Sequence, residues 1–281
     1  MRPILFELPL WHVPVYAYGA MLSLSFVVGW ILTFRLGEQA GLPRRTMEAC
    51  FAVTAVCALA AGRALHVVTN LGDFASLGDV FRLSSGGMVA YGGFLGGLLG
   101  SIVFCRRAGL SVLAWGDCAV PSLCTGLLLT RIGCLLAGCD FGTPWDGPWA
   151  LRFPPGSPAF REQVTHGLLE PGAAASLPVH PTQIYESLAG AALLGLVVLV
   201  RQRRVHGEML AAFAIGYAGL RYLIEVYRGD SQRASVGPLS MSQLIALLTC
   251  AAGLALLARL SRPSPGADAS TRPRRAAVGA P

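Results

Sequence analysis

The sequence contains no lysine, and it is poor in charged residues of every kind. All 22 of its basic side chains are arginine, and with 15 acidic residues the charged fraction is 13% of 281 residues. Soluble domains carry about 25% charged residues, so a soluble fold of this size would lack the polar surface to cover itself. This scarcity argues against a cytosolic enzyme, a disordered protein and a nucleic-acid binder. The net charge of +7 needs no nucleic acid to explain it, because a GC-rich genome favours arginine codons.

Long apolar runs fill the chain instead. Hydrophobic residues make up 54% of the sequence, and the mean hydropathy is +0.57. A helix needs about 20 mostly apolar residues to cross a bilayer. The pattern therefore predicts an all-α polytopic membrane protein with seven transmembrane helices. The seven runs cover residues 13–34, 49–68, 86–105, 110–129, 183–200, 209–226 and 239–258.

The arginines between these runs predict the orientation, because short cytoplasmic loops carry an excess of positive charge. Alternate segments place thirteen arginines on one side and six on the other, and Arg63, Arg131 and Arg221 lie within or at the end of a run. The side with thirteen is predicted to be cytoplasmic. The N-terminus is then outside and the C-terminus inside.

Two segments are predicted to lie off the helical bundle. Residues 1–261 are interpreted as the transmembrane domain, and they include an extracytoplasmic loop at about 140–179 that is long enough for a small head or lid. Residues 262–281 are rich in proline, serine, alanine, glycine and arginine, a composition typical of a disordered cytoplasmic tail.

Polar residues within the runs gather toward the outer side. In the predicted orientation Arg63, Arg131 and Arg221 all reach the outer leaflet, while Asp117 is the main polar residue of an inner half. An arginine at the bilayer centre costs about 2.5–3.5 kcal/mol on insertion scales and usually faces the interior of the bundle. Separate snorkelling of each arginine to the interface is the alternative. Three arginines on one leaflet favour a shared cavity, which suits an anionic phospholipid headgroup because guanidinium groups match phosphate.

The sixth run carries a compact group of charges. Glu225 follows Arg221 by four residues and precedes Arg228 by three, which puts all three on one helical face. Such a triad can contribute to the cavity. It can also be a neutralised group that only makes a buried arginine tolerable.

The stretch HPTQIYE, from His180 to Glu186, is the sharpest local motif. Pro181 suits the first turn of a helix, and His180, Gln183 and Glu186 then recur on one face. This pattern predicts an imidazole, an amide and a carboxylate that point into the outer cavity, with His180 as a proton carrier. A helix cap followed by Tyr185 as an interfacial anchor is the alternative.

A glycine-rich stretch opens the third run. The sequence GGMVAYGGFLGG, at 86–97, permits close helix packing or close approach of a lipid, and packing is the commoner meaning. Tyr91, between its glycine pairs, could donate a hydrogen bond into the cavity.

Two of the eight cysteines lie beside a candidate functional arginine. Cys134 and Cys139 are predicted at or beyond the outer end of the fourth run, near Arg131. A regular helix would hold them too far apart for a disulfide, so pairing requires a turn, which Gly138 makes possible. A catalytic thiol is the other possibility, because a nearby arginine lowers a thiol pKa. A metal site is less favoured, since C-x4-C offers only two ligands.

Taken together, these motifs resemble the prolipoprotein diacylglyceryl transferase family over about residues 16–243. The resemblance is carried by YAYG at 16–19, AGR at 61–63, GGMVAYGG at 86–93, Asp117 with Pro121, RIG at 131–133, HPTQIYE, and RYLIEVYRGD at 221–230. The family has seven spans, an outside N-terminus and a periplasmic head.

The resemblance implies a reaction at the outer leaflet of the bacterial inner membrane. A diacylglyceryl group passes from phosphatidylglycerol to the lipobox cysteine of an exported preprolipoprotein, and glycerol phosphate leaves. No cofactor and no metal are implied. Arg131, Arg221, Tyr91, His180 and Glu225 are the predicted catalytic residues. The predicted substrate-binding residues are Tyr18, Arg63, Gly92, Gly93, Gln183, Tyr185, Glu186 and Arg228, with Cys134 and Cys139 as possible redox or nucleophilic groups.

The chain departs from the family signature after Arg131. The family usually reads G-R-x-G-N-F-x-N-G-E-x-x-G, whereas residues 130–142 here read TRIGCLLAGCDFG. Cys134 and Ala137 stand at the asparagine positions and Cys139 at the glutamate, and Asp140 can replace that carboxylate only with a shift of one residue. Tyr91 stands where many members have a histidine.

These departures keep three alternatives open. The chain could be a paralogue with a different acceptor, including lipid carried on Cys134 or Cys139. It could be an anionic-lipid-binding or lipid-translocating protein without chemistry, or an inactive partner of the true transferase.

Overall fold

The computed structural model describes residues 4–8, 13–74, 78, 88–201, 205–229 and 235–262, whose regular elements are mainly α-helices, with two pairs of short antiparallel strands. The helices are α1 (Ala17–Gln39), α2 (Arg44–Thr69), α3 (Ala90–Arg107), α4 (Val112–Ala137), α5 (Pro158–Thr165), α6 (Thr182–Val200), α7 (Glu208–Glu225) and α8 (Met241–Leu260). The strands are β1 (Ile4–Leu8), β2 (Val13–Tyr16), β3 (Ser235–Val236) and β4 (Leu239–Ser240).

Seven of these helices, all except α5, have at least 18 residues, and each lies over one of the apolar runs. Five of them, α1, α2, α4, α6 and α8, are long and apolar enough to cross a membrane. Large apolar side chains such as Val56 and Leu199 are exposed along them, at 65% and 71%. Helix α1 packs along α4, α2 along α3 and α7 along α8, and α6 lies against α4 and α7. The chain is therefore a multi-pass helical membrane protein.

The first helix begins later than the apolar run predicts. Val13–Tyr16 is strand β2, which pairs antiparallel with β1, and α1 begins only at Ala17. Pro14 has no N–H group and disfavours helix for the residue before it, while Val13 and Val15 are β-branched. The predicted helical fold holds, and only the start of the first helix is corrected here, because hydropathy does not separate an apolar strand from the start of an apolar helix.

Helix α4 extends further than its apolar run, and this extension places the candidate site. The side chain of Ser111 caps its start by accepting the N–H of Ala114, and the helix ends at Gly138, which has a left-handed φ of +79°. Glycine adopts this conformation without the cost that a Cβ brings. Arg131 and Cys134 therefore lie inside the helix, which corrects the prediction that Cys134 lies at or beyond its end.

The segment between α4 and α6 folds into a small head. Phe141, Phe153, Ala159 and Val179 form its buried core, with α5 on one side. Isolated β-bridges join Val179 to Pro144 and Leu151, and a further bridge joins Gly142 to Arg228. The head is thereby fixed to the segment that follows α7.

Close packing of α2 and α3 accounts for the glycines near Tyr91. A Cβ on Gly92 would lie 2.5 Å from the carbonyl oxygen of Ala61, and a Cβ on Gly93 would lie 3.5 Å from that of Ala58. Both glycines therefore face α2, in keeping with close helix packing, the commoner meaning of such a stretch. Gly86, Gly87 and tail residues 263–281 lie outside the described residues.

Asp117 connects two helices at the end of the bundle away from Arg131. Its carboxylate, in α4, accepts the backbone N–H of Gly207 at 2.6 Å and that of Leu210 at 2.9 Å. Gly207 has no side chain that could cap α7. Asp117 thus acts as the N-cap of a neighbouring helix and fixes α7 against α4.

We expect Asp117→Ala to lower the free energy of unfolding by about 1–3 kcal/mol, because a buried and a partly buried N–H group lose their acceptor. Asp117→Asn should lose less, since its amide oxygen can still accept one of the two. Thermal unfolding of the purified variants in detergent measures the difference, and equal stability of Asp117→Ala and the parent would contradict this role.

Candidate active site

Four charged residues from three long helices meet in a buried group. Glu186, in the second turn of α6, accepts ion pairs from Arg131 of α4 and from Arg221 of α7, the latter at 2.8 Å. Arg221 also pairs with Glu225 at 2.8 Å, one turn further along α7. The Glu186 side chain is 4% exposed and that of Glu225 is 1% exposed. Two of the three arginines predicted to share a site, Arg131 and Arg221, therefore meet at Glu186.

Asp140 and Arg228 complete the group from outside the helices. Asp140 pairs with Arg131 at 2.5 Å and with Arg228 at 2.7 Å, and Arg228 also contacts Glu186 at 3.2 Å. Asp140 has a left-handed φ of 55°, which follows from the reversal of the chain at Gly138. This reversal brings the Asp140 carboxylate to Arg131, one residue after the position at which the family signature has a glutamate.

The resulting ion-pair network contains three guanidinium groups and three carboxylates. Arg228 lies after the end of α7, so Arg221, Glu225 and Arg228 do not share one helical face as predicted, and the network joins residues of several elements instead. Its members are Arg131, Asp140, Glu186, Arg221, Glu225 and Arg228. Buried ion pairs regain little more than their desolvation cost, so stability alone gives weak reason for them. Intramembrane charges gathered in this way are typical of a functional site.

Helix α8 and Tyr91 extend the network with hydroxyl groups. The Ser242 hydroxyl accepts a hydrogen bond from Arg221 at 3.0 Å and also bonds the hydroxyl of Tyr91. Ser240 donates to Glu225 at 2.8 Å and caps α8 through a reciprocal bond with Gln243. The sequence prediction included neither serine, although the spacing S-x-x-Q before an apolar run is a helix-start signal that locates Ser240.

The two cysteines lie at the edge of the network as free thiols. Cys134 donates to the Asp140 carboxylate at 3.2 Å, and its sulfur lies 3.9 Å from a guanidinium nitrogen of Arg131. Cys139 lies in the turn after α4. No disulfide joins them. Their sulfurs and an Asp140 oxygen lie within 4.8 Å of one another, yet two guanidinium groups already hold that carboxylate, and their charge opposes a cation there.

The HPTQIYE stretch holds this turn in place. Gln183 donates to the carbonyl oxygen of Cys139 at 2.7 Å, and Thr182 donates to that of Asp140 at 2.7 Å. Both side chains are buried. Gln183 therefore positions the turn that carries Asp140. Glu186, three residues further along α6, contacts the arginines of the network directly.

His180 lies before α6, which corrects its placement on the helical face with Gln183 and Glu186. Its ring stacks on Trp145 with centroids 4.3 Å apart, and its Nδ1 lies 3.2 Å from the hydroxyl of Tyr185. Trp149 donates to the same hydroxyl at 2.8 Å, and Tyr227 flanks the imidazole at 5.0 Å. Burial lowers the pKa of His180, so the imidazole is neutral at neutral pH. These five residues form an aromatic cluster in which Trp145, Trp149 and His180 of the head meet Tyr185 of α6 and Tyr227, the residue before Arg228.

Tyr18 and Arg63 approach from other helices. Tyr18 is half-exposed on α1. The backbone there packs so closely against Gly133 of α4 that a Cβ on this glycine would lie 3.1 Å from the Cα of Tyr18. Arg63 is buried in α2, and its guanidinium lies 5.3 Å from the ring centre of Phe74. Tyr18 therefore borders α4 beside Arg131, while the described geometry of Arg63 places it over an aromatic ring.

The stability of the turn should depend on acid pH through Asp140. Burial raises the pKa of this carboxyl, but Arg131 and Arg228 outweigh burial and hold it at about 2, below the ordinary 3.8. Because the folded pKa is the lower one, the ionised form adds about 2 kcal/mol that is fully present above about pH 4 and is lost as the pH falls toward 2. The stability difference between the parent and Asp140→Asn should therefore be constant above pH 4 and shrink below it. A difference independent of pH down to 2 would contradict this account.

The comparisons with known proteins cover almost the whole chain. The profile of a family described as prolipoprotein diacylglyceryl transferase matches residues 3–259. Two relatives are named phosphatidylglycerol–prolipoprotein diacylglyceryl transferase. The protein from Clostridium tetani is 29% identical over 90% of this chain and 96% of its own length. The protein from Methylocella silvestris is 32% identical over 87% of this chain and 89% of its own length. A further relative, numbered 2 in Clostridium perfringens, is 30% identical over 91% and 94%. The chain belongs to the prolipoprotein diacylglyceryl transferase family.

Proposed function

We propose that this protein transfers a diacylglyceryl group from phosphatidylglycerol to the cysteine thiol of a preprolipoprotein and releases glycerol phosphate. The observation that carries the proposal is the buried ion-pair network within a chain that matches the family over nearly its full length. In the transfer, the thiol sulfur forms a bond to a glyceryl carbon, the bond from that carbon to the phosphate oxygen breaks, and the thiol proton passes to a base.

Arg131 and Arg221 are the groups that would hold the phosphate. Both guanidinium groups contact Glu186 from different helices, so an anion that approaches beside Glu186 could meet two planar donors. The leaving phosphate gains charge in the transition state, and fixed guanidinium groups stabilise that charge more than they stabilise the intact lipid. Asp140 and Glu186 hold the arginines in position before the lipid binds.

Two groups are candidates for receiving the proton of the acceptor thiol. Tyr91 reaches Arg221 through Ser242, whereas His180 lies in the aromatic cluster and is neutral at neutral pH. The general base must touch the thiol or reach it through one water. The pH dependence of turnover in Tyr91→Phe and in His180→Gln separates the two candidates. Turnover falls at low pH as the general base becomes protonated, and only the variant that lacks this base should lose that dependence.

The network lies at one end of the long helices, which supports a site that opens on one side of the membrane. Tyr91, Glu186 and Ser242 lie near the starts of α3, α6 and α8, and Arg131 and Arg221 lie near the ends of α4 and α7. Together with the arginine bias of the loops, this placement supports seven spans, an outside N-terminus and a site at the outer leaflet of the inner membrane. Labelling of single cysteines placed in the head with a membrane-impermeant maleimide on intact cells tests the orientation.

Release of glycerol phosphate from phosphatidylglycerol tests the reaction. Purified protein in detergent is incubated with the lipid and a peptide that carries a lipobox cysteine, and a peptide with serine at that position is the matched control. We expect release only with the cysteine peptide. Lipid binding without release would support the non-catalytic alternative, which the names of the relatives do not favour.

A further inference from the structure

Cys134 and Cys139 are brought together by the turn that ends α4. The N–H groups of Gly138 and Cys139 both bond the carbonyl oxygen of Cys134, at 2.8 and 3.2 Å, and Gly138 is left-handed. This arrangement folds the chain back over the last turn of the helix, as a pairing of residues five apart requires. The two sulfurs lie within 4.8 Å of each other.

The two thiols also differ in exposure. Cys134 is 3% exposed, while Cys139 is partly open to the surface of the head. The neighbouring Cys134 thiol lowers the pKa of Cys139 and, together with the charge of Arg131, outweighs the effect of burial, which raises it. The thiolate is the attacking form in disulfide exchange, so Cys139 has the reactivity and the access, and Cys134 lies behind it as the resolving thiol.

We infer that Cys134 and Cys139 form a reversible redox site that becomes a disulfide when a thiol-oxidising disulfide, of a small molecule or of a protein, reaches Cys139. The Cys139 thiolate attacks one sulfur of that disulfide, its S–S bond breaks, and one thiolate leaves and takes up a proton. The Cys134 sulfur, after losing its proton, then attacks the Cys139 sulfur and releases the second thiol. The protein loses two electrons and two protons, and the oxidant gains them.

The disulfide would tie the turn that carries Asp140 to α4. Cys134 would no longer donate to Asp140, and the carbonyl of Cys139, which accepts from Gln183, would be fixed to the helix. The oxidation state would therefore set the rigidity of the Asp140 side of the network. Formation of this disulfide does not depend on the proposed transfer.

A second cysteine pair provides a matched control. The sulfurs of Cys50 and Cys105 are 3.6 Å apart, yet both side chains are fully buried in an apolar core with Phe34, Met47 and Trp115. An oxidant in water has no access to them. Short distance without access should leave this pair reduced.

The test uses the full-length protein equilibrated with oxidised glutathione, then unfolded, treated with a maleimide and digested with trypsin. Cleavage after Arg131 and Arg152 gives a peptide, 132–152, that holds these two cysteines and no other. We expect this peptide to carry no maleimide after oxidation and two maleimides when the sample is first reduced with dithiothreitol. Cys50 and Cys105 should be labelled in both cases. Two maleimides on this peptide without reduction would overturn the inference.

Thermal unfolding gives a second measure in the same samples. Oxidation should raise the unfolding midpoint of the parent by about 2–4 °C, the shift that a modest stabilisation produces in a chain of this size. The shift should persist in Cys50→Ala/Cys105→Ala and disappear in Cys134→Ala/Cys139→Ala. An equal shift in the latter variant would assign it to other cysteines and would also overturn the inference.

Discussion

Replacing Arg131 or Arg221 by alanine should lower turnover by about 100- to 1000-fold, the loss seen when one fixed donor to a developing anion is removed. The reason is that each guanidinium presents its donors at the place where the lipid phosphate is proposed to lie. The phosphate gains negative charge as its bond to the glyceryl carbon breaks, so the lost stabilisation falls mainly on the transition state. The rate constant for turnover should therefore fall more than the affinity for lipid.

Both variants should still fold, because the remaining pairs keep each carboxylate in contact with a donor. Without Arg131, Asp140 keeps Arg228, and Glu186 keeps Arg221 and Arg228. Without Arg221, Ser240 still donates to Glu225. Arg107→Ala, at the exposed end of α3, is the matched control and should have full activity. Turnover within threefold of the parent in both site variants, measured as glycerol phosphate released, would contradict a phosphate role for these arginines.

Replacing Glu186 by alanine should cause the largest loss of stability. Glu186 is the one carboxylate of the network that contacts Arg131, Arg221 and Arg228 together. Its removal leaves three guanidinium groups and two carboxylates in a buried space, and an uncompensated buried charge costs about 3–5 kcal/mol. We expect the unfolding midpoint to fall by about 6 °C or more in detergent.

Glu48→Ala is the matched control for Glu186. Glu48 also pairs with an arginine, Arg44, at 3.1 Å, but both side chains are exposed, at 42% and 62%. Exposed pairs contribute about 0–1 kcal/mol, so this variant should unfold close to the parent. If Glu186→Ala and Glu48→Ala unfolded at the same temperature, the network would not be the buried, charge-balanced group described above.

The sequence located the parts of the site that lie on regular helices. Arg131, Glu186, Arg221 and Glu225 are polar residues within apolar runs, and the cost of burying charge in a membrane marks them without knowledge of the fold. Their helical positions then depend only on spacing, which hydropathy defines to within a few residues. The pairing of Arg221 with Glu225 across four residues follows directly from that spacing.

The residues that lie on turns could not be placed in this way. Asp140 enters the network because the chain reverses at Gly138. The left-handed conformation of this one glycine changes the direction of the chain after it, and helical spacing does not predict where the following side chains lie. His180 lies before α6 rather than within it, so its contacts are set by the fold of the head and by Trp145. Ser242 reaches Arg221 only through the packing of α8 on α7, a contact between helices that local sequence does not encode.

The measurement that tests the central claim most directly is mass spectrometry of a lipobox peptide after incubation with purified protein and phosphatidylglycerol. The account predicts that the peptide gains one diacylglyceryl group on its cysteine, in a thioether bond that resists mild base. It predicts no gain with Arg131→Ala or with a serine peptide. An unmodified peptide, with a relative such as the Clostridium tetani enzyme active in parallel, would contradict transfer to a lipoprotein cysteine.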